Sequence, residues 1–117
     1  MSAMPRSRLP ERALLDEAFL TYVRSVEQIP QVMAVLADDG NEFSVTTVIK
    51  RRNLRVCARL FEIEQKFIEL FSKLAPDFRI LYAQDRPLEQ IVTTPSSYRW
   101  HWIKDADKSA TSRSSQP

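Results

Sequence analysis

The feature that most constrains the fold of this chain is a regular apolar pattern between Asn53 and Ala75. Its principal apolar residues are separated by three or four positions: Val56, Leu60, Ile63, Phe67, Leu70 and Leu74. This spacing places side chains on one face of a helix. Asn53 is a suitable N-cap, and Pro76 ends the helix because it has no backbone N–H to donate. The pattern therefore predicts one long amphipathic helix.

The buried face of this predicted helix is broad. Four further apolar residues widen the stripe: Cys57, Phe61, Ile68 and Phe71. A stripe of this width is typical of a helix that packs against a sheet or against several neighbours. Cys57 is the only cysteine, which excludes an internal disulfide, and a free thiol on an apolar flank is typical of a structural residue. A chain without disulfides fits the reducing cytoplasm.

The length and composition predict one globular domain without a membrane span. The chain has 117 residues, of which 44% are hydrophobic and 27% are charged, and a single core suits a chain of this size. It has no run of about 18 apolar residues, as a membrane helix needs, and no signal-peptide pattern. We expect residues 9–104 to form the domain, residues 1–8 to be frayed and residues 105–117 to be a disordered polar tail.

The segments before the long helix predict another helix and a β-hairpin. Apolar residues recur with helical spacing from Pro10 to Val26, and proline is favoured at the start of a helix. Two β-prone segments, QVMAVLA and EFSVTTVI, then flank an Asp-Gly pair, which is typical of a tight turn. We expect a register in which Leu36 faces Phe43. One side of the hairpin would be apolar, and the mixed second side would be partly exposed or in contact with a partner.

The segments after the long helix predict two more strands. DFRILYA follows Pro76, and a right-handed crossover through the long helix would make this strand a parallel neighbour of the hairpin. Asp85 is expected to cap a short helix that begins at Pro87. Residues 98–103 alternate in the manner of a strand, and we expect this strand at a sheet edge.

Together these elements predict an α+β fold. The expected order is α-β-β-α-β-(short α)-β, a two-layer sandwich in which two main helices pack on one face of a three- or four-stranded mixed sheet. Unrelated proteins share such orders of elements, so the fold alone does not indicate a function.

The sequence offers little that would bind a cofactor or a metal ion. Gly40 is the only glycine, whereas phosphate-binding loops need several. Cys57 and His101 are the only thiol and imidazole, fewer than the roughly four ligands of a structural zinc site. The acidic residues around Gly40 are typical of a hairpin turn, and their spacing differs from that of a calcium loop. We expect no cofactor and no metal.

Two residues are candidates for catalysis, and both have simpler explanations. His101 is the only histidine, the residue type that acts most often in general acid–base catalysis, yet its place between Trp100 and Trp102 is explained by strand alternation. Glu64 falls near the edge of the apolar stripe, where burial raises the pKa of a carboxyl group. A glutamate that reaches solvent or a partner is more common at such a position. On balance we expect a protein that is not an enzyme.

A basic cluster supports an alternative hypothesis of nucleic-acid binding. Its members are Lys50, Arg51, Arg52, Arg55 and Arg59. These cations would neutralise phosphates near the N-terminus of the long helix. Arg99 and the aromatic residues from Tyr98 to Trp102 would add stacking surfaces for a single strand. The competing interpretation is a solvated connector, since the net charge of the whole chain is only +2.

An interaction or regulatory module is the function that the sequence favours. Tyr98, Trp100 and Trp102 lie in the predicted edge strand, and aromatic residues and open strand edges are typical of protein interfaces. Such an edge pairs with a second copy of the chain or with an extended segment of another protein. We expect self-association, as a homodimer, or a protein partner in the cytoplasm. Nucleic-acid binding is the alternative, and catalysis by His101 or Glu64 ranks third.

Overall fold

The computed structural model describes residues 8–40, 42–92 and 94–104. Its helices and strands are α1 (Arg8–Val26), β1 (Val32–Asp38), β2 (Ser44–Ile49), α2 (Leu54–Leu70), β3 (Asp77–Tyr82), α3 (Leu88–Ile91) and β4 (Trp100–Ile103). The strands form one four-stranded sheet in the order β3-β2-β1-β4. Helices α1 and α2 contribute to one core on one face of this sheet. The predicted α+β fold is confirmed.

The predictions for the two chain ends fall largely outside the described residues, which exclude 1–7 and 105–117. Helix α1 begins at Arg8, slightly before the predicted start at Pro10. A proline is tolerated in the first turn because the N–H groups there have no acceptor within the helix. Within the described ranges, no helix is long and apolar enough to cross a membrane.

Helix α2 has the predicted start and a narrower buried face than predicted. The Asn53 side chain accepts a hydrogen bond from the Val56 backbone N–H at 3.0 Å. Leu60 and Phe67 are buried, whereas Phe61 is 60% exposed and Leu70 is 71% exposed. The prediction that Phe61 and Leu70 are buried is therefore wrong. Helix α2 contacts β3, which is an edge strand, so no further strand covers the outer side of the helix.

Helix α1 packs through the predicted stripe, which is buried at Ala18, Phe19, Tyr22, Val23 and Val26. The centre of this contact is Tyr22. Its hydroxyl lies 2.8 Å from Oγ1 of Thr47 on β2, and its ring contacts Phe67 of α2 and Phe78 of β3. Burial raises the pKa of Tyr22, so the phenol stays neutral and joins both helices to the sheet.

The hairpin has a different register from the predicted one. Leu36 pairs with Thr46, and Asp38 pairs with Ser44, whereas the sequence predicts that Leu36 faces Phe43. The loop runs from residue 39 to residue 43, and Gly40 does not have a positive φ. The Asp-Gly pair therefore does not form the tight turn that would set the predicted register. An irregularity between Val32 and Ala34 shifts the pairing again.

The sequence predicts a parallel neighbour of the hairpin after α2 and an edge strand at residues 98–103, and the structure contains both. Strand β3 is parallel to β2, as expected for two strands joined by a helical crossover. Strand β4 pairs antiparallel with β1 and forms the opposite edge of the sheet. The predicted strand extends from residue 98 to residue 103, and the observed strand is shorter, Trp100–Ile103.

The second face of the sheet is covered by the connection between the two edge strands. Ala83 and Val92 from this connection are buried against Ala34, Leu36 and Val48 of the hairpin. Both sides of the hairpin are therefore packed within the chain, so the expectation of a second side that is exposed or meets a partner is wrong. Residues at and around α3 complete this smaller core: Leu88, Ile91 and Tyr98.

The start of α3 also differs from the prediction. Pro87 occupies the N-cap position and makes no side-chain capping bond. Asp85 instead binds the side chain of Arg51. A bidentate pair with a guanidinium uses both oxygens of the carboxylate, so Asp85 does not cap this helix.

Candidate functional site

The basic cluster lies at the carboxyl ends of β2 and β3. Lys50 directly follows β2, and Arg51 and Arg52 lead into the N-terminus of α2. Arg55 and Arg59 lie on the first turns of α2. All five side chains are exposed, and within the described ranges only Arg51 among them has an ion-pair partner.

The connection after β3 adds a further cation and one carboxylate to this cluster. Arg51 donates to both oxygens of Asp85, from Nε at 3.1 Å and from Nη2 at 2.7 Å. Arg86 donates to the carbonyl oxygens of Ala83 at 2.9 Å and Tyr82 at 3.2 Å. Because the Arg51–Asp85 pair is exposed, it contributes little stability. We call Lys50, Arg51, Arg52 and Arg86 the basic edge.

A cleft of about 380 Å³ lies against the basic edge and is lined by Met33, Lys50, Ala83, Asp85, Arg86 and Pro87. The backbone beside it is strained. Gln84 and Asp85 both have positive φ, 54° and 69°, which is uncommon for residues other than glycine. The turn is closed by the bond from the Arg86 N–H to the Ala83 carbonyl at 3.0 Å. This turn forms the wall of the cleft that carries Arg86.

The predicted aromatic surface on β4 is packed against the rest of the chain. Trp100 donates its indole N–H to Asp16 of α1 at 2.7 Å, and its ring meets Phe43 edge to face at 5.6 Å. Trp100 and Trp102 both pack against the core beneath the helices, whereas Tyr98 packs against the smaller core on the other face. The three predicted interaction residues therefore contact different cores, and each is partly buried.

The basic edge and the aromatic segment do not form one surface. Trp100 pairs with Ala37 near the end of β1, whereas Met33, near the start of β1, lines the cleft. Four residues of strand separate the two positions by about 13 Å at the usual rise per residue. Arg99 lies at the Trp100 end, where it pairs with Asp39 at 3.2 Å and its guanidinium lies 5.9 Å from the Trp100 ring centroid.

An apolar surface lies instead on α2, beside the open edge of the sheet. Leu54 is 76% exposed and Phe61 is 60% exposed, and a spacing of seven places both on the same side of the helix. Cys57, on the same side, lies 3.8 Å from the hydroxyl of Tyr82 on the edge strand β3. Leu81 of β3 is also exposed. We call Leu54, Phe61 and the half-buried Ile68 the α2 flank.

The two candidate catalytic residues lie on different faces of the sheet. Glu64 belongs to α2, and burial raises its pKa to about 6, while its Oε2 atom is buried without a hydrogen-bond partner. His101 is exposed on β4, opposite Leu36 of the second core, and its Nδ1 lies 3.3 Å from the carbonyl oxygen of Tyr98. The fold therefore does not combine Glu64 and His101 in one site.

Comparison of the chain with models of protein families, with curated proteins and with solved structures finds no match. Any function is therefore inferred from the residues of this chain and their geometry.

The acidic loop between β1 and β2 lines an open depression with Asp38, Asp39 and Glu42. Arg99 also lines this depression and pairs with Asp39. Among the described residues, no group of three or more His, Cys, Asp or Glu side chains could hold a metal ion. The loop offers no assembled cation site.

Two features of the surface are absent from the sequence-based predictions. Arg86 and Asp85 join the basic edge because two strands that are distant in sequence end side by side. Their recruitment follows from the parallel pairing of β2 with β3, which the sequence does predict. In the sequence, the spacing of seven between Leu54 and Phe61 indicates that they lie on the same side of the helix. Periodicity alone does not predict that this side is exposed, because it does not tell which neighbour covers a residue.

Proposed function

We propose that this protein is a non-catalytic interaction module that forms a homodimer through the α2 flank and the open edge of β3. The observation that carries the proposal is the exposure of Leu54 and Phe61 on the helix that packs against the edge strand β3. Large apolar side chains that cluster on a surface are typical of an interface. An unpaired strand edge is a template for another strand.

The β3 edge is a better docking surface than the β4 edge. Strand β3 has six residues and β4 has four, so β3 offers the longer row of backbone groups. Apolar side chains lie on both sides of the β3 edge, Leu54 and Phe61 on the helix side and Leu81 on the strand itself. At β4 the large aromatic residues Trp100 and Trp102 are occupied within the chain.

A second copy of the chain is the occupant that suits this surface. Antiparallel pairing of β3 with its counterpart would place the two α2 helices antiparallel, side by side on one face of a continuous sheet. The exposed apolar residues Leu54 and Phe61 of one α2 helix would then face those of the other. Antiparallel helices also place the opposite ends of their dipoles together. The helix dipoles and the exposed apolar residues of α2 are therefore both compatible with a two-fold axis.

The dimer is expected to be weak and reversible. Full burial of a Leu or Phe side chain contributes about 1.5–3 kcal/mol, and each copy contributes Leu54, Phe61 and part of Leu81. This gain is offset by the translational and rotational freedom that the two copies lose on association, which costs roughly 4–15 kcal/mol. Backbone hydrogen bonds between the two β3 strands supply the remainder.

Light scattering coupled to gel filtration tests the proposal across a range of protein concentrations. Phe61→Glu should abolish the dimer, because it places a carboxylate in the centre of the interface. Leu20→Glu is the matched control, since Leu20 is 52% exposed on α1 and lies outside the proposed contact. A dimer that survives Phe61→Glu, or a wild-type protein that is monomeric at every concentration, would contradict the proposal.

Nucleic-acid binding is the second candidate, and it would use the basic edge without the β4 aromatics. Lys50 and Arg52 have no ion-pair partner among the described residues, which leaves them able to contact phosphates. The candidate ranks second because Trp100 and Trp102 pack against the core and are not free to stack on bases. A cytoplasmic location suits both candidates, given the free thiol of Cys57.

A further inference from the structure

We infer that the cleft beside the basic edge binds a small ligand in which a phosphate group is attached to an apolar or planar body. The inference is independent of the proposed dimer, because it concerns the carboxyl ends of β2 and β3 and not the outer edge of β3. The cleft has a volume of about 380 Å³. Small-molecule sites commonly have volumes of roughly 300–1,000 Å³.

The charges around the cleft match a phosphate dianion. Lys50, Arg51 and Arg86 are three cations, and Asp85 is the one carboxylate that lines the cleft. Arg51 holds both oxygens of Asp85, so this carboxylate is already neutralised. The surplus is two positive charges, and a phosphate monoester carries about two negative charges near neutral pH.

Arg86 lines the cleft and keeps hydrogen-bond donors for a ligand. A guanidinium has five N–H groups, and Arg86 uses Nε and Nη2 to bind the carbonyl oxygens of Ala83 and Tyr82. These bonds fix the plane of the group at the carboxyl end of β3 and leave its other N–H groups available. Lys50, at the end of the neighbouring strand, supplies a flexible ammonium on the other side of the cleft.

The strained turn supports a binding role for this end of the sheet. Gln84 and Asp85 are consecutive residues with positive φ, an arrangement that costs free energy in non-glycine residues. The turn is held by bonds from the Ala83 N–H to the Ile49 carbonyl at 2.8 Å and from the Gln84 N–H to the Lys50 carbonyl at 2.7 Å. The turn places Asp85 beside Arg51 and Arg86 in the lining of the cleft.

The composition of the site favours a small ligand over a nucleic-acid strand. Met33 and Pro87 form apolar parts of the lining, which suit the body of a small molecule rather than a charged backbone. A polyanion needs a row of cations along an open groove. Here the cations among the described residues that line the cleft are Lys50 and Arg86, and Arg51 beside them is partly neutralised by Asp85.

Titration of the 15N-labelled protein, followed by NMR at constant ionic strength, tests this inference. The probes are adenosine monophosphate, adenosine, inorganic phosphate and a mixed-sequence single-stranded hexanucleotide. We expect adenosine monophosphate to bind more tightly than adenosine or inorganic phosphate and to shift the backbone signals of Met33 and Ala83. Lys50→Gln should weaken this binding by about tenfold, as expected for the loss of one charge-assisted hydrogen bond.

Lys66→Gln is the matched control, because Lys66 is an exposed lysine on α2 away from the cleft. It should leave the affinity unchanged. Three results would overturn the inference: no shift at Met33 and Ala83 with adenosine monophosphate, equal weakening by Lys50→Gln and Lys66→Gln, or binding of the hexanucleotide alone. The last result would assign the basic edge to nucleic acid.

Discussion

The β4 strand and the α2 flank both differ from their predicted exposure, in opposite directions. Trp100 and Trp102 of β4 have the composition of an interface, yet they pack on the core and Trp100 binds Asp16. Phe61 of α2 belongs to an apolar stripe expected to be buried, yet it is 60% exposed. The difference lies in the neighbours: α1 covers the helix side of β4, whereas no strand extends beyond β3 beneath α2. Whether an apolar residue is buried therefore depends on which elements cover it, as well as on its periodicity in the sequence.

The largest expected effect tests the internal role of β4. Trp100→Ala should lower the free energy of unfolding by about 3 kcal/mol, because it removes a packed aromatic ring and a hydrogen bond. Urea denaturation followed by circular dichroism measures this change. Trp100→Phe, which keeps a ring beside Phe43 but loses the bond to Asp16, should cost about 1 kcal/mol. If Trp100→Ala lowers the free energy of unfolding by less than about 1 kcal/mol and also abolishes the dimer, then β4 forms the interface and this prediction is wrong.

A smaller effect concerns Glu64, which lies between the buried and exposed sides of α2. Burial raises its pKa to about 6 from 4.5, so the folded state binds the proton more tightly than the unfolded state. This contribution to stability is present below about pH 4.5 and is lost as the pH rises through about 6. Since the carboxyl group is only half-buried, we expect a change on the order of 1 kcal/mol.

Comparison of Glu64→Gln with the wild-type protein isolates this contribution. Urea denaturation at several pH values between 4 and 7 should show that the variant loses less stability with rising pH. At pH 7 the variant should be the more stable protein, because it no longer places an ionised carboxylate at a buried position. Tyr22 on α1 is the described titratable group that interacts with Glu64, and it stays neutral in this range. Parallel pH profiles for both proteins would contradict the prediction.

The smallest expected effect on stability belongs to the α2 flank. Phe61→Ser should change the free energy of unfolding of the monomer by no more than about 0.5 kcal/mol, as is usual for an exposed residue. Its neighbour in the sequence provides the control, because Leu60 is fully buried and Leu60→Ala should cost about 2–5 kcal/mol. Dilute protein in urea denaturation gives the monomer values. Equal losses in the two variants would mean that Phe61 is packed within one chain.

The elements of the fold are predictable from the sequence where a local signal determines them. The Asn53 cap, the α1 stripe and the alternation of β4 each depend on neighbouring residues, and the structure contains all three. The parallel pairing of β2 and β3 follows from the crossover rule. The predicted hairpin register is wrong because Asp38 pairs with Ser44, so the Asp-Gly pair does not form the tight turn that would set it.

The candidate sites are less predictable because they depend on contacts between distant parts of the chain. The basic residues from Lys50 to Arg59 are visible in the sequence, and the structure keeps them exposed. The pairing of Arg51 with Asp85 and the position of Arg86 require the ends of two strands to meet. The exposure of Phe61 requires knowledge that β3 is the last strand on its side.

The central claim is that the α2 flank and the β3 edge meet a second copy, whereas β4 belongs to its own core. A dilution series of two-dimensional 15N NMR spectra tests both parts at once. The account predicts concentration-dependent shifts for the amides of Leu54, Phe61 and Leu81, and constant indole N–H signals for Trp100 and Trp102. Shifts confined to the two indoles, or spectra that are identical at every concentration, would contradict it.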